Sequence, residues 1–190
     1  NPEEKNPSKY LMWQDILTGL FDENIKGLPL KEHYTSLSEK FQRAAERNGD
    51  FNDMFAFSAQ VSKVLSIKSE VGLQIRKAYL DDDQQKLTLY ADQILPNLYD
   101  EVKILRQMHK ALWFDTYKPF GWDVQDIRYG ALLIRIRSAI ETLSDFLNGD
   151  LQEILELTEP RLPYDGQEGL VSYANWYGQI VSPSPIAPEA

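Results

Sequence analysis

The sequence predicts an all-α fold: a bundle of about four long helices followed by an irregular, aromatic C-terminal tail. Three observations predict it. Apolar residues recur every three to four positions along four long stretches, the spacing of one helix face. Asn-Gly pairs, an Asp-Asp-Asp run and Pro or Gly breaks separate those stretches. A chain of 190 residues with 43% hydrophobic and 26% charged residues has ordinary globular composition and enough length for one sizeable core.

The elements follow in order. Residues 1–9 are polar with two prolines and read as a loop. Tyr10-Leu11-Met12-Trp13 is a short apolar run, ambiguous between a buried strand and a helix start. Leu17 to Phe21 suggests a short helical turn before Gly27 and Pro29 break the chain. Tyr34, Leu37, Phe41 and Ala44 mark the first long helix, and Asn48-Gly49 ends it. Asp50 or Asn52 is the expected cap of the second. Its stripe is Met54, Phe57, Val61, Val64, Val71, Ile75 and Tyr79, interrupted by Lys68. The stem of Lys68 is expected along apolar surface with its ammonium in water. Asp81-Asp82-Asp83 suits the N-terminus of the third helix.

That helix turns Leu87, Tyr90, Ile94, Leu98, Leu105, Met108 and Leu112 inward, and Pro96 should kink or split it. The Lys118–Trp122 turn leads to a fourth helix with Val124, Ile127, Leu133, Ile134, Ala139, Leu143 and Phe146, stopped by Asn148-Gly149. Asp123 or Asp126 should supply acceptors at its start, and Gly130 should mark a close helix approach, since glycine inside a helix costs about 1 kcal/mol against alanine. Leu151 to Leu157 reads as a short helix. Five prolines from Pro160 onward make the rest extended, yet Tyr164, Tyr173, Trp176 and Tyr177 are too aromatic for an unpacked segment.

Composition removes several function classes. With 29 acidic against 20 basic residues the net charge is −9, which disfavours nucleic acid and anionic membranes, where clustered Lys and Arg must meet phosphates. There are no cysteines, so thiolate metal sites, cysteine nucleophiles and disulfides are excluded; this fits a cytoplasmic location. No run reaches the roughly 18 apolar residues of a membrane span. Glycine-rich phosphate loops, HExxH and GxSxG are absent. His33 and His109 read as solvated or core-edge residues, and neither a metal nor a cofactor is expected. Asp22-Glu23 reads as a pair of solvated turn residues, and Glu153 and Glu156 as surface. Trp13-Gln14-Asp15 has a different character. An indole face stacks on the apolar face of a pyranose, and a carboxylate two residues on accepts hydrogen bonds from sugar hydroxyls; packing into the core is the ordinary alternative for the same residues.

The richest stretch is Trp113 to Gly130, and one block of it points to a family. Tyr117-Lys118-Pro119-Phe120-Gly121-Trp122-Asp123-Val124, then Asp126-Ile127-Arg128-Tyr129-Gly130, Arg135-Ile136 and Glu159-Pro160-Arg161-Leu162 before Tyr164, resemble the C-terminal helical region of bacterial β-N-acetylhexosaminidases of glycoside hydrolase family 20. The resemblance covers roughly residues 10–165. Asn6-Pro7-Ser8-Lys9-Tyr10-Leu11-Met12-Trp13-Gln14-Asp15 resembles the end of the (β/α)8 barrel that precedes such a region. The resemblance implies that Trp13 stacks on an N-acetylhexosamine and Asp15 binds its outer hydroxyls, although the family motif often has Glu there. It implies substrate-assisted hydrolysis, in which the acetamido oxygen attacks the anomeric carbon. The Asp-Glu pair that orients it and protonates the leaving oxygen is expected upstream of Asn1, so no catalytic residue is assigned in this chain.

The domain reading is then 1–28 as barrel end or linker, 29–160 as helical bundle and 161–190 as extended tail. Trp13, Asp15 and Trp176 are the candidate substrate contacts. The chain is expected to be a fragment of an enzyme acting on N-acetylhexosamine-containing oligosaccharides, inactive alone, structural, and homodimeric through a spare apolar face. The rival is a free-standing helical interaction module. The rival requires residues 1–25 to pack into the bundle, whereas a barrel remnant would leave residues 10–20 irregular.

Overall fold

The computed structural model describes residues 7–163, and their secondary structure is helical. Helix α1 spans Pro7–Trp13, α2 Asp22–Ile25, α3 Leu30–Arg47, α4 Asn52–Leu80, α5 Gln84–Leu89, α6 Leu95–Thr116, α7 Trp122–Asn148 and α8 Leu155–Thr158. Four are long, α3, α4, α6 and α7, with 18, 29, 22 and 27 residues. α4 is the central rod: it packs against α3, α6, α1, α5 and α8, while α7 closes the bundle through α6 and α5. The all-α bundle expected from the periodicity is the observed fold.

Pro96 acts as anticipated, by splitting its helix. Tyr90–Ile94 is a π-turn between α5 and α6. Proline has no N–H to donate, and its ring collides with the carbonyl four residues back, so the widened turn accommodates it. Asp83 caps α5 by accepting from the Lys86 N–H at 3.0 Å. Other punctuation differs from expectation. Phe51 occupies the cap of α4, without a side-chain bond from Asp50 or Asn52. Gly121, at φ 91°, caps α7, and Asp126 accepts from Arg106 instead of from backbone. α8 is shorter than the predicted Leu151–Leu157.

The α7 stripe is also shifted. Ile127 and Ile134 are 55% and 56% exposed; Trp122, Tyr129, Leu132, Ile136, Ala139 and Leu143 form the buried face. α7 is apolar on more than one side, so two overlapping 3–4 spacings compete and packing selects one. Met54 likewise lies outside the core. Around Gly130 nothing lies within 4 Å of an added Cβ, so no close approach occurs there.

The largest departure is at the N-terminal end. Residues 14–20 are irregular, a run of bends and turns between α1 and α2, yet residues 10–20 are not orphaned. Leu11, Met12, Ile16, Leu17, Phe21 and Ile25 belong to the same buried cluster as Leu65, Val71 and Ile75 of α4. Full burial of one such side chain is worth about 1.5–3 kcal/mol. Six of them tie this segment to the bundle core.

Candidate functional site

Three distant parts of the chain converge on residues 11–22 and hold them by charge. Lys68 comes from the middle of α4 and is 1% exposed, the reverse of the expected surface position. Its Nζ donates to the Leu11 carbonyl at 3.0 Å and the Gln14 carbonyl at 2.5 Å. These carbonyls lie at the end of α1, where helical acceptors run out of partners. The lysine thus terminates α1 from another helix. Burial drives its pKa down to about 7, with Asp15 and Asp22 nearby opposing the fall.

Asp15 follows at once, 2% exposed. Its Oδ1 accepts from the Leu17 and Thr18 N–H groups at 2.9 and 3.0 Å, which folds the chain into a tight turn. Its Oδ2 accepts from Nε of Arg135 on α7 at 2.5 Å. Burial alone would raise this carboxyl; the Arg135 hydrogen bond and charge together with the two N–H bonds outweigh it and lower the pKa. Gln14 closes the loop by accepting from the Phe21 N–H at 3.0 Å.

Asp22 is 1% exposed and so is not the solvated turn residue anticipated. Arg161, arriving from beyond α8, faces it at 3.4 Å and donates to the carbonyls of Glu156 and Leu17. Burial raises the Asp22 pKa, against the pull of Arg161, Lys68 and Arg76. The neighbouring Glu23 does sit toward solvent, paired with Lys26.

Two glycines allow the clasp to close. Gly19 has φ 57°, and a Cβ there would strike the Asp22 carboxylate. Gly72 on α4 lies under the loop, where a Cβ would come within 2.6 Å of the Ile16 carbonyl. Sequence reasoning passed over Gly72; a glycine inside a long helical stripe, one turn from a lone lysine, was the available signal.

The candidate contacts are placed as follows. Trp13 is partly exposed, with Tyr129 of α7 edge-on at 5.3 Å. Asp15 points inward to Arg135. Trp176 lies outside the described residues, as does the rest of the aromatic tail from Tyr164. Behind Trp13 the Tyr129 hydroxyl meets Nδ1 of His109 at 3.1 Å, and His109 packs against Phe57, Trp113 and Trp122. Burial lowers the His109 pKa. Arg106 on α6 pairs with Asp126 on α7 at 2.8–2.9 Å. The Trp113–Gly130 stretch therefore ties α6 to α7 and connects by aromatic contact to Trp13.

Among the described residues no group of three or more acidic or histidine side chains is placed to hold a metal, and no helix is long and apolar enough to cross a membrane. No curated protein matches the chain. The family model described as "Glycoside Hydrolase 20C C-terminal domain" matches residues 1–175, nearly the whole chain. This chain belongs to that family, the C-terminal region of a glycoside hydrolase of family 20.

Proposed function

We propose that this domain is the non-catalytic, structural part of a cytoplasmic hydrolase that removes terminal N-acetylhexosamine by substrate-assisted catalysis, and that it pairs as a homodimer. The observation that carries the reading is the inward commitment of Asp15 and Asp22. A glycosidic acid must reach the leaving oxygen and titrate near the working pH. Asp15 is instead held ionised by Arg135 and two backbone N–H groups, and Asp22 is sealed beneath Arg161. What this segment offers outward is the ring of Trp13. In this reading Trp13 stacks on the sugar, and Asp15 acts through it as a positioning residue that fixes the turn. Trp176 is the second proposed sugar contact.

The chain should release no chromophore from a chromogenic N-acetylglucosaminide or N-acetylgalactosaminide at any pH. Turnover above the buffer rate, abolished by Asp22→Asn or Glu23→Gln, would overturn the non-catalytic assignment.

A second reading, a free-standing helical interaction module, is favoured by the packing of residues 10–25 into the bundle core. The two part on one observation. Only the first requires a barrel bearing an Asp-Glu pair in the same polypeptide.

A further inference from the structure

We propose that the tip of the α6–α7 turn and the groove beside it form one self-complementary surface, through which two copies of this chain pair with Phe120 of each entering the groove of the other. The proposal rests on the homodimer reading and names its contact face.

Phe120 is 94% exposed, the most exposed of the large apolar side chains described. It sits on a built turn. Trp113 Nε1 donates to the Lys118 carbonyl at 3.0 Å, the Trp122 N–H donates to the Pro119 carbonyl at 3.2 Å, and Trp122 beneath is 5% exposed. A bulky ring on a rigid turn loses little conformational freedom on binding, which is how an interface anchor behaves.

The groove lies between the start of α4 and the end of α6. It measures about 360 Å³ and is lined by Asp53, Ala56, Met108, Ala111, Leu112 and Asp115. Two alanines leave room on its floor, and a methionine adapts its shape to an incoming ring. Asp53 and Asp115 form an acidic rim. Among the described residues neither makes an ion pair, and neither does Lys118, two positions before Phe120. A second copy supplies what the groove lacks: an apolar ring for the floor and a cation for the rim.

Knob and groove are close neighbours in the chain, since Asp115 precedes Phe120 by five residues. Such adjacency suits a two-fold axis, where one patch meets itself. Phe120 brings roughly 200 Å², and a stable dimer needs about 800 Å² from each partner. The remainder is available nearby: Phe51, Met54, Phe114 and Tyr117 are 59%, 56%, 45% and 64% exposed, on the ends of α4 and α6 and the turn itself.

Sedimentation equilibrium on the whole chain tests the proposal, with circular dichroism as the check on folding. The wild type should be a dimer. Phe120→Asp, which touches no core residue, should raise the dimer dissociation constant at least about 30-fold, the scale of an interface anchor. Lys118→Glu should weaken pairing, and adding Asp53→Lys with Asp115→Lys should restore it. A wild type that stays monomeric overturns both the homodimer reading and this face. A dimer indifferent to Phe120→Asp overturns the face and leaves the homodimer reading standing.

Discussion

Lys68 gives the sharpest test of the clasp, because its burial makes a prediction about pH that runs against intuition for a lysine. The unfolded chain holds this proton up to about 10.5, whereas the folded chain releases it near 7. Between those values the unfolded state binds more protons, so stability rises with pH. The penalty is fully present below pH 7 and disappears as pH approaches 10.5. The fall corresponds to roughly 5 kcal/mol in total, of which about 3 kcal/mol is recovered between pH 7 and pH 9.5. The neutral amine keeps two N–H donors, and Leu11 and Gln14 present two carbonyls, so deprotonation costs the clasp no hydrogen bond. Lys68→Met has nearly the same volume without the titration. It strips both carbonyls of their donor, at about 1–3 kcal/mol each, and removes a charge penalty of similar size. The variant should therefore match wild type within about 1–2 kcal/mol at pH 7 and trail it by roughly 3 kcal/mol more at pH 9.5. Urea unfolding of both proteins at the two pH values reads this directly. Parallel pH dependences would show that the fold does not release the Lys68 proton early, and would refute the neutral, doubly donating amine.

Two glycines of similar sequence context should respond oppositely. Gly130→Ala, on an open face of α7, should stabilise by about 1 kcal/mol through helix propensity, while Gly72→Ala should cost about 2 kcal/mol or more by pushing the Ile16 loop off α4; thermal melts separate them. Arg135→Ala leaves the buried Asp15 carboxylate without its cation and should cost about 3 kcal/mol. That loss should shrink in acid, because the Asp15 pKa is lowered in the fold, so its contribution is present above the ordinary carboxylate value and disappears as pH falls through the folded one. Equal losses at pH 7 and pH 2.5 would show that Arg135 works by packing alone.

The fold was legible in the sequence because helix periodicity and punctuation agree. The long stripes, the Pro96 split and the Asn-Gly stops need only local rules. What escaped is long-range. Lys68 lies on a helical stripe where a snorkelling stem is the usual solution, and nothing local announces that the carbonyls of Leu11 and Gln14, more than fifty residues earlier, meet it. Asp22 reads as solvated because its neighbours Glu23 and Asn24 are polar; Arg161, which covers it, is 139 residues away. Gly130 and Gly72 show the same limit. Both are glycines inside helices, and only the loop crossing α4 distinguishes the one that is required from the one that is not.

The packing of residues 10–25 bears on what kind of boundary this family's domain has. An irregular remnant is the expected sign of a lost barrel, yet those residues share a core with α4 and are pinned by Lys68, Arg135 and Arg161. Family membership and an N-terminal segment packed on the bundle are compatible once the clasp is given a purpose. Under the proposed function, a ring that stacks on a sugar has to be held to within about 0.5 Å, and loops do that poorly unless their own backbone is fixed. The clasp fixes this one from three directions, through the buried side chains of Lys68 and Arg161 and through Arg135, about a third exposed, on the buried Asp15. Trp13, like Tyr10 and Leu20, is left partly outside by the clasp, and Tyr129 steadies its edge. The burial that commits Asp15 to Arg135 and two backbone N–H groups also fixes the backbone that carries Trp13, which is what the proposed stacking role requires of it.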